Sequence, residues 1–430
     1  MTRGKKAVEW AKTALILLLS ASALVLAWRT ELFSAYINSI PFFGSVADLV
    51  KGTTGTTEIS SVELKEAARP LSIVITNEDG RRYGAKYDTD IRNAVYERTS
   101  SILCEALGSA SAPEEISEEE WREALSGPGV FFEYFNPVRL SILDGWLGAH
   151  MPETAEDISL RYVYIAFGED KSRIYYQDIE RGLFFGADTA SAAGKVQELD
   201  IYSENGAMFA FETVVSDENN APYMLIMPES DHPDINAAAA GSVEELLDIV
   251  ITAMGHSEET NTTYPDSRGF FVCVGTQFNI RVDSTGRILY RRTDALPISI
   301  ERQMPNPNEI IERARVIVAE TISKTCGDAE VFFESMEYYP DGSCSVYFGY
   351  YVAGGRMFLR DDNHAARISF SPGMVPEIEV IFRNFTLTDE YTRLLPERQA
   401  FAAAGGEFLL CYSDAGLDIL QPSWARTVDN

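Results

Sequence analysis

Cationic side chains are scarce in this chain of 430 residues. Thirty-six Lys and Arg stand against 65 Asp and Glu, a formal charge of −29 at pH 7. A surface this acidic repels nucleic acid and anionic lipid, so neither is expected as a partner. Histidine is scarcer still, with four in all, and no HExxH or equivalent helical spacing occurs. The common zinc-hydrolase pattern is therefore missing. The five cysteines, Cys104, Cys273, Cys326, Cys344 and Cys411, form no CxxC, which leaves zinc-ribbon and thioredoxin-like chemistry unsupported. They read as small buried apolar residues, with a Cys326–Cys344 bridge as an open alternative. The chain also has no GxSxG elbow, no GxxxxGK[ST] loop and no GxGxxG after a strand, so nothing points to an activated serine or a nucleotide site.

Long apolar runs are equally rare. The one that exists, TALILLLSASALVLAW at 13–28, organises the rest. As a helix it spans roughly 24 Å, slightly short of a bilayer core of about 30 Å. Arg3, Lys5, Lys6 and Lys12 precede it, and Trp10 and Trp28 flank it. Positive charge on the N-terminal side predicts a cytoplasmic N-terminus, and the tryptophans fit the two interfaces. Ala21-Ser22-Ala23 has the small-x-small form of a cleavage site, but LVLAW continues the apolar run beyond it. An uncleaved anchor is the better reading. Residues 1–30 carry +4, which leaves −33 for the remainder.

The expected organisation is a basic cytoplasmic tail (1–12), a transmembrane anchor (13–30), a juxtamembrane segment and linker (31–57), and three extracytoplasmic domains at 58–152, 158–258 and 266–430. In the first, 71–77 reads as a strand and 88–107 as a helix. Ser117 with Glu120 gives a capping box, 130–135 a strand, and 138–149 a helix. In the second, 161–167 and 173–178 form a hairpin, 207–215 and 223–227 are strands, and 242–254 is a helix capped by Ser242 and Glu245. In the third, a hairpin at 270–292 precedes a helix at 308–325, then 331–339 and 344–352, then strands at 366–370 and 377–387, a short helix near 396–404 and two closing strands. The fold class is α+β, with antiparallel sheets packed by helices.

The histidines are the only candidates for metal chemistry. His150 lies at a helix end and His256 opens a linker. His232 sits in DHPD and His364 in DDNH; each has metal-site composition, but both read as turns within an acidic chain. A hydrolase would need the fold to bring His232 or His364 against two further carboxylates. No catalytic residue, cofactor or metal is expected, and the chain reads as non-enzymatic. Ser20, Ala23 and Ala27 share one face of the anchor helix, and small residues permit close helix approach in lipid, so these three are the candidate partner contacts.

Several stretches together resemble the YycH family and its relative YycI, membrane-anchored accessory regulators of the WalK–WalR two-component system of Gram-positive bacteria. They are LVLAWRT at the end of the anchor, VFFEYFNPVRLSILDGWLG at 130–148, CSVYFGYYVAGGRMF at 344–358, and LDILQPSWART with Pro422 and Trp424. The resemblance implies two similar α+β domains after a distinct N-terminal one. It also implies non-enzymatic contact with a WalK-type sensor histidine kinase, and with a sister YycI-like regulator, in the control of envelope homeostasis. A second function class remains, an extracytoplasmic module that binds peptide or cell wall.

Overall fold

A computed structural model describes residues 61–151, 158–168, 171–190, 199–213, 221–256, 261–267, 269–293, 306–360, 364–372, 374–404, 407–416 and 418–426. The anchor at 13–30, the segment 31–57, and with them Ser20, Ala23 and Ala27, lie outside these residues. Among the described residues no helix is long and apolar enough to cross a membrane.

After helix α1 (Ser61–Ala67) the run SIVIT forms β1 (Ser72–Thr76), buried along its whole length. Asn77 accepts the Arg81 amide at 2.8 Å and Gly80 takes φ +75°, turning the chain into β2 (Arg82–Ala85). Asp88 caps α2 (Thr89–Gly108) by accepting the Ile91 amide at 2.9 Å. After β3 (Glu114–Ile116), Ser117 caps α3 (Glu118–Leu125), whose three leading glutamates suit the positive end of the helix dipole. β4 (Gly129–Arg139), α4 (Leu140–Leu147), β5 (Ser159–Ala166), β6 (Ser172–Asp178) and β7 (Leu183–Thr189) complete an antiparallel sheet ordered β2-β1-β4-β5-β6-β7-β3. Side chains alternate across it. Ile73, Val130, Phe132 and Val163 join α2 and α4 in one core, while Val74, Phe131, Tyr162 and Tyr164 meet Trp121 in another. With both faces covered, the strands read as continuous apolar runs. The boundary expected at 152–158 does not separate sheets, since β4 pairs with β5 across it.

The middle segment departs most from expectation. The anticipated strands at 207–215 and 223–227 shrink to β8 (Met208–Phe209) and β9 (Leu225–Ile226), with a 3-10 turn at Ala210–Glu212. Their task is to close the second face of the first sheet, where Phe209 stands edge-on to Phe131. DHPDINAAA, expected to open on a turn, is β10 (Asp231–Ala239). The helix that follows, α5 (Val243–Ala253), carries both halves of the Ser242–Glu245 capping box.

The remaining elements are β11 (Thr262–Pro265), β12 (Phe271–Val274), β13 (Phe278–Val282), β14 (Arg287–Arg292), α6 (Pro307–Glu320), β15 (Glu330–Tyr338), β16 (Cys344–Val352), β17 (Gly355–Leu359), β18 (Ala366–Ser371), β19 (Met374–Ile381), β20 (Arg383–Arg393), α7 (Glu397–Ala404), β21 (Phe408–Asp414), β22 (Ile419–Leu420) and β23 (Ser423–Arg426). Most build one sheet ordered β11-β12-β13-β14-β19-β18-β16-β17-β21-β23, with β15 also on β16 and with α5 and α6 packed against it. The strand expected at 377–387 breaks at Phe382, where the chain leaves this sheet. β20 instead joins β10 and β22 in a separate sheet ordered β20-β10-β22. The switch depends on Gly286: it takes φ +86°, its carbonyl accepts the Phe382 amide at 2.9 Å, and a Cβ there would lie 2.5 Å from the Phe382 carbonyl oxygen. Because β10 pairs with β20, the boundary expected at 258–266 also does not separate sheets, and the middle segment forms no repeat unit of its own.

The two large sheets are joined by buried polar and aromatic contacts. Phe135 stacks on Phe332 with ring centres 3.9 Å apart. Trp146 donates to Glu312 at 3.2 Å. Arg161 bridges Glu133 and Glu407, and the fully buried Arg92 pairs with Glu330. All five cysteines are free thiols, so Cys326 and Cys344 are not bridged. Burial pushes both of these thiols up to about 11, so they stay protonated and unreactive near neutrality.

Candidate partner-binding cleft

A cleft of about 570 Å³ opens where the end of β2, the start of β10 and the middle of β20 meet. Its floor begins with Lys86 and Tyr87, which follow β2 directly. The β16–β17 turn presses against them. Ala353 and Gly354 both have positive φ, at 47° and 70°, the pattern of a two-residue primed hairpin turn. A Cβ on Gly354 would lie 2.9 Å from the Lys86 carbonyl oxygen, so only glycine allows this approach. VAGG in the sequence thus marks a close contact as well as a turn.

Beneath the floor lies Glu397, the first residue of α7 and wholly buried. One carboxylate oxygen accepts Lys86 Nζ at 2.9 Å and the Tyr87 hydroxyl; the other accepts the Met227 amide. Lys86 also donates to the Leu225 carbonyl at 3.0 Å. The lysine charge is therefore spent inside the fold. Burial, with Glu397 beside it, holds the Tyr87 hydroxyl well above its ordinary pKa. None of Lys86, Tyr87 or Glu397 stood out in the sequence, because a lone lysine and a lone glutamate some 300 positions apart leave no local signature.

His232 completes the floor. It is 1 % exposed, with its ring edge-on to Tyr87 at 4.6 Å and to Trp424 at 5.4 Å. Its Nε2 has no hydrogen-bond partner. Burial, aided by the Lys86 ammonium, pushes the imidazole pKa down to about 4, so the ring is neutral at pH 7. The expectation of a turn is corrected: β20 draws DHPD into a strand and its histidine inward.

The other histidines lie elsewhere. His364 contacts Glu334, which also lies 2.6 Å from Arg356; the preceding 361–363 are outside the described residues. His256 does not open a free linker, for it stacks on Phe278 at 4.3 Å and bonds the Tyr290 hydroxyl at 2.9 Å. His150 follows the left-handed Gly148 cap of α4, as its helix-end position suggested. Among the described residues no group of three His, Cys, Asp or Glu is placed to hold a metal ion.

The cleft rim is acidic, with Asp88, Asp90, Glu229, Asp231 and Asp328 along it. Between them stand apolar surfaces that water does not favour: Ile91, Leu387 and Tyr391 are 43 %, 40 % and 65 % exposed. A second cleft of about 590 Å³ holds Arg287 and Arg383, but Glu379 pairs with the first and Asp414 grips the second in two bonds of 2.6 and 3.0 Å.

With strand order and cleft in place, comparison with solved structures finds the crystal structure of YycH from Bacillus subtilis. It superposes with a TM-score of 0.57 at 14 % identity, over 88 % of this chain and 96 % of that one. The fold is YycH-like. The α+β class and its antiparallel sheets packed by helices belong to that likeness. An uncharacterized protein from Eubacterium rectale also aligns, over 46 % of this chain with a TM-score of 0.31 and 11 % identity. No family model matches the chain, and no curated protein matches it in sequence.

Proposed function

We propose that this chain is a non-enzymatic, membrane-anchored regulator of a WalK-type sensor histidine kinase, acting on envelope homeostasis together with a sister YycI-like regulator. The observation that supports this reading is the YycH-like fold over 88 % of the chain. The N-terminus lies in the cytoplasm, one helix at 13–30 crosses the cell membrane, and the rest faces outward. Such a regulator works by binding one state of the kinase better than another. A coupling of about 1–3 kcal/mol changes output several-fold.

The anchor takes part through Ser20, Ala23 and Ala27. Replacing Ala23 and Ala27 by Ile adds branched bulk where close approach is needed. The double variant is expected to recover several-fold less kinase when the full chain is purified from membranes in mild detergent. Recovery equal to wild type, at equal expression, counts against the helix contact.

A further inference from the structure

The cleft beside β20 carries three features that contacts among the described residues do not use. The first is charge. The five rim carboxylates face it, while the only cation among its described lining residues, Lys86, is paired with Glu397. Asp88 caps α2 and Asp328 accepts the Leu387 amide at 2.8 Å, but an amide donor leaves the carboxylate charge in place. Arg393 approaches Asp231 only to 4.0 Å.

The second feature is backbone. β20 is the edge of its sheet. Just beyond its end the Leu394 amide donates to the Ser230 carbonyl at 2.7 Å, and with Arg393 opposite Asp231 and Tyr391 opposite Pro233 these alternate residues turn their N–H and C=O groups away from β10. Further along, the same edge is closed, because Phe385 exchanges bonds with Cys326 and Asp328. The open stretch is the part that borders the cleft. The third feature is His232, almost wholly buried in the floor with Nε2 unpartnered. A buried polar atom without a partner is a cost that a ligand can remove.

We propose that this cleft docks an extended segment of a partner protein that carries lysine or arginine next to apolar side chains. The segment's backbone pairs with the β20 edge at Tyr391 and Arg393, the mode of strand addition. Its cations meet Asp90, Glu229 and Asp231, its apolar side chains cover Ile91, Leu387 and Tyr391, and a polar group reaches His232. Residues 31–57 do not carry this chemistry, holding Lys51 against Glu31 and Asp48, and a second copy brings a charge of −29; the basic tail at 1–12 lies across the membrane in the proposed topology. The inference goes beyond the regulatory reading, since the chemistry of the cleft is the same whichever protein supplies the segment.

The test uses the full chain in nanodiscs of neutral lipid and fluorescein-labelled probe peptides KVKVKVK and EVEVEVE, followed by fluorescence polarisation. The lysine probe binds saturably and more weakly as salt rises, and the glutamate probe does not bind. The triple variant Asp90→Asn, Glu229→Gln, Asp231→Asn weakens the lysine probe roughly tenfold or more, as does N-methylation of alternate amides in the probe. Glu115→Gln, Glu119→Gln, Glu123→Gln, which removes three exposed carboxylates on β3 and α3, outside the cleft lining, leaves affinity unchanged. Tyr391→Ala, at a position too exposed to threaten folding, weakens binding. Equal affinity for both probes, an unaltered affinity in the cleft variant, or an equal loss in the distant one overturns the proposal.

Discussion

Replacing Glu397 by Ala lowers the unfolding free energy by about 3–5 kcal/mol, the cost of breaking a buried ion pair from one side. The size follows from what the carboxylate serves. It receives an ammonium, a phenol and a backbone amide, from Lys86, Tyr87 and Met227. Without it, three donors from two segments far apart in sequence, Lys86-Tyr87 and Met227, are left in a water-poor interior. Lys86 suffers most, because only the Leu225 carbonyl remains to it. Adding Lys86→Met to Glu397→Ala therefore recovers part of the loss, so the double variant is less destabilised than the sum of the singles. The measurement is urea unfolding of the full chain in a fixed non-ionic detergent. A single variant within about 1 kcal/mol of wild type, or strictly additive losses, would show that Glu397 does not hold the cleft floor.

The elements that were legible in the sequence are those with local causes. Ser242 and Glu245 announce α5 because both halves of a capping box lie within four residues. The hairpin of β5 and β6 is visible because two apolar runs, RYVYIAF and RIYYQD, flank the short polar stretch GEDKS. β10 had no such cause. DHPDINAAA contains proline, two aspartates and three alanines, all poor strand formers. It becomes a strand because β20, some 150 residues later, lies along it, and Pro233 is tolerated at an irregularity in that pairing. The polar stretches expected as boundaries do not separate sheets for the same reason. Polar stretches such as 152–157 look like linkers, yet pairing between β4 and β5 spans that gap.

The candidate site was half legible. His232 drew notice for its carboxylate neighbours, which suggested metal-site composition. The structure separates the signals: Asp231 and the α2 cap Asp88 lie on the rim, Asp234 is buried and accepts the Thr392 hydroxyl at 2.7 Å, and the imidazole turns inward against Tyr87 and Trp424. PSW near the C-terminus, noted as part of a family resemblance, thus gains a physical role. Trp424 packs on the cleft histidine and donates to the Leu395 carbonyl at 2.7 Å, just ahead of Glu397. Charge pattern alone cannot reveal which members of an acidic cluster are solvated and which residue beside them is sealed.

His232 also gives the chain an acid-sensitive step. Its pKa in the fold is about 4, below the ordinary 6.5, because burial and the Lys86 ammonium oppose a positive ring. Below pH 6.5 the unfolded chain takes up a proton at this position and the folded chain does not. Unfolding therefore becomes easier as pH falls. The contribution of the neutral ring is complete above pH 6.5 and is lost progressively down to about pH 4, up to about 3 kcal/mol in all. His232→Phe keeps a ring that can stand edge-on to Tyr87 and Trp424 but cannot titrate. Carboxylates change charge in the same range, Glu229 among them, whose carboxyl is pushed up by desolvation at the cleft edge and by Glu397. The informative quantity is thus the difference between wild type and variant at each pH, in which the shared terms largely cancel. Urea unfolding from pH 7.5 to pH 4 should show wild type losing stability faster than the variant, with the gap growing below pH 6.5. Parallel curves would mean that the histidine is not buried neutral, and would remove it from the floor of the cleft.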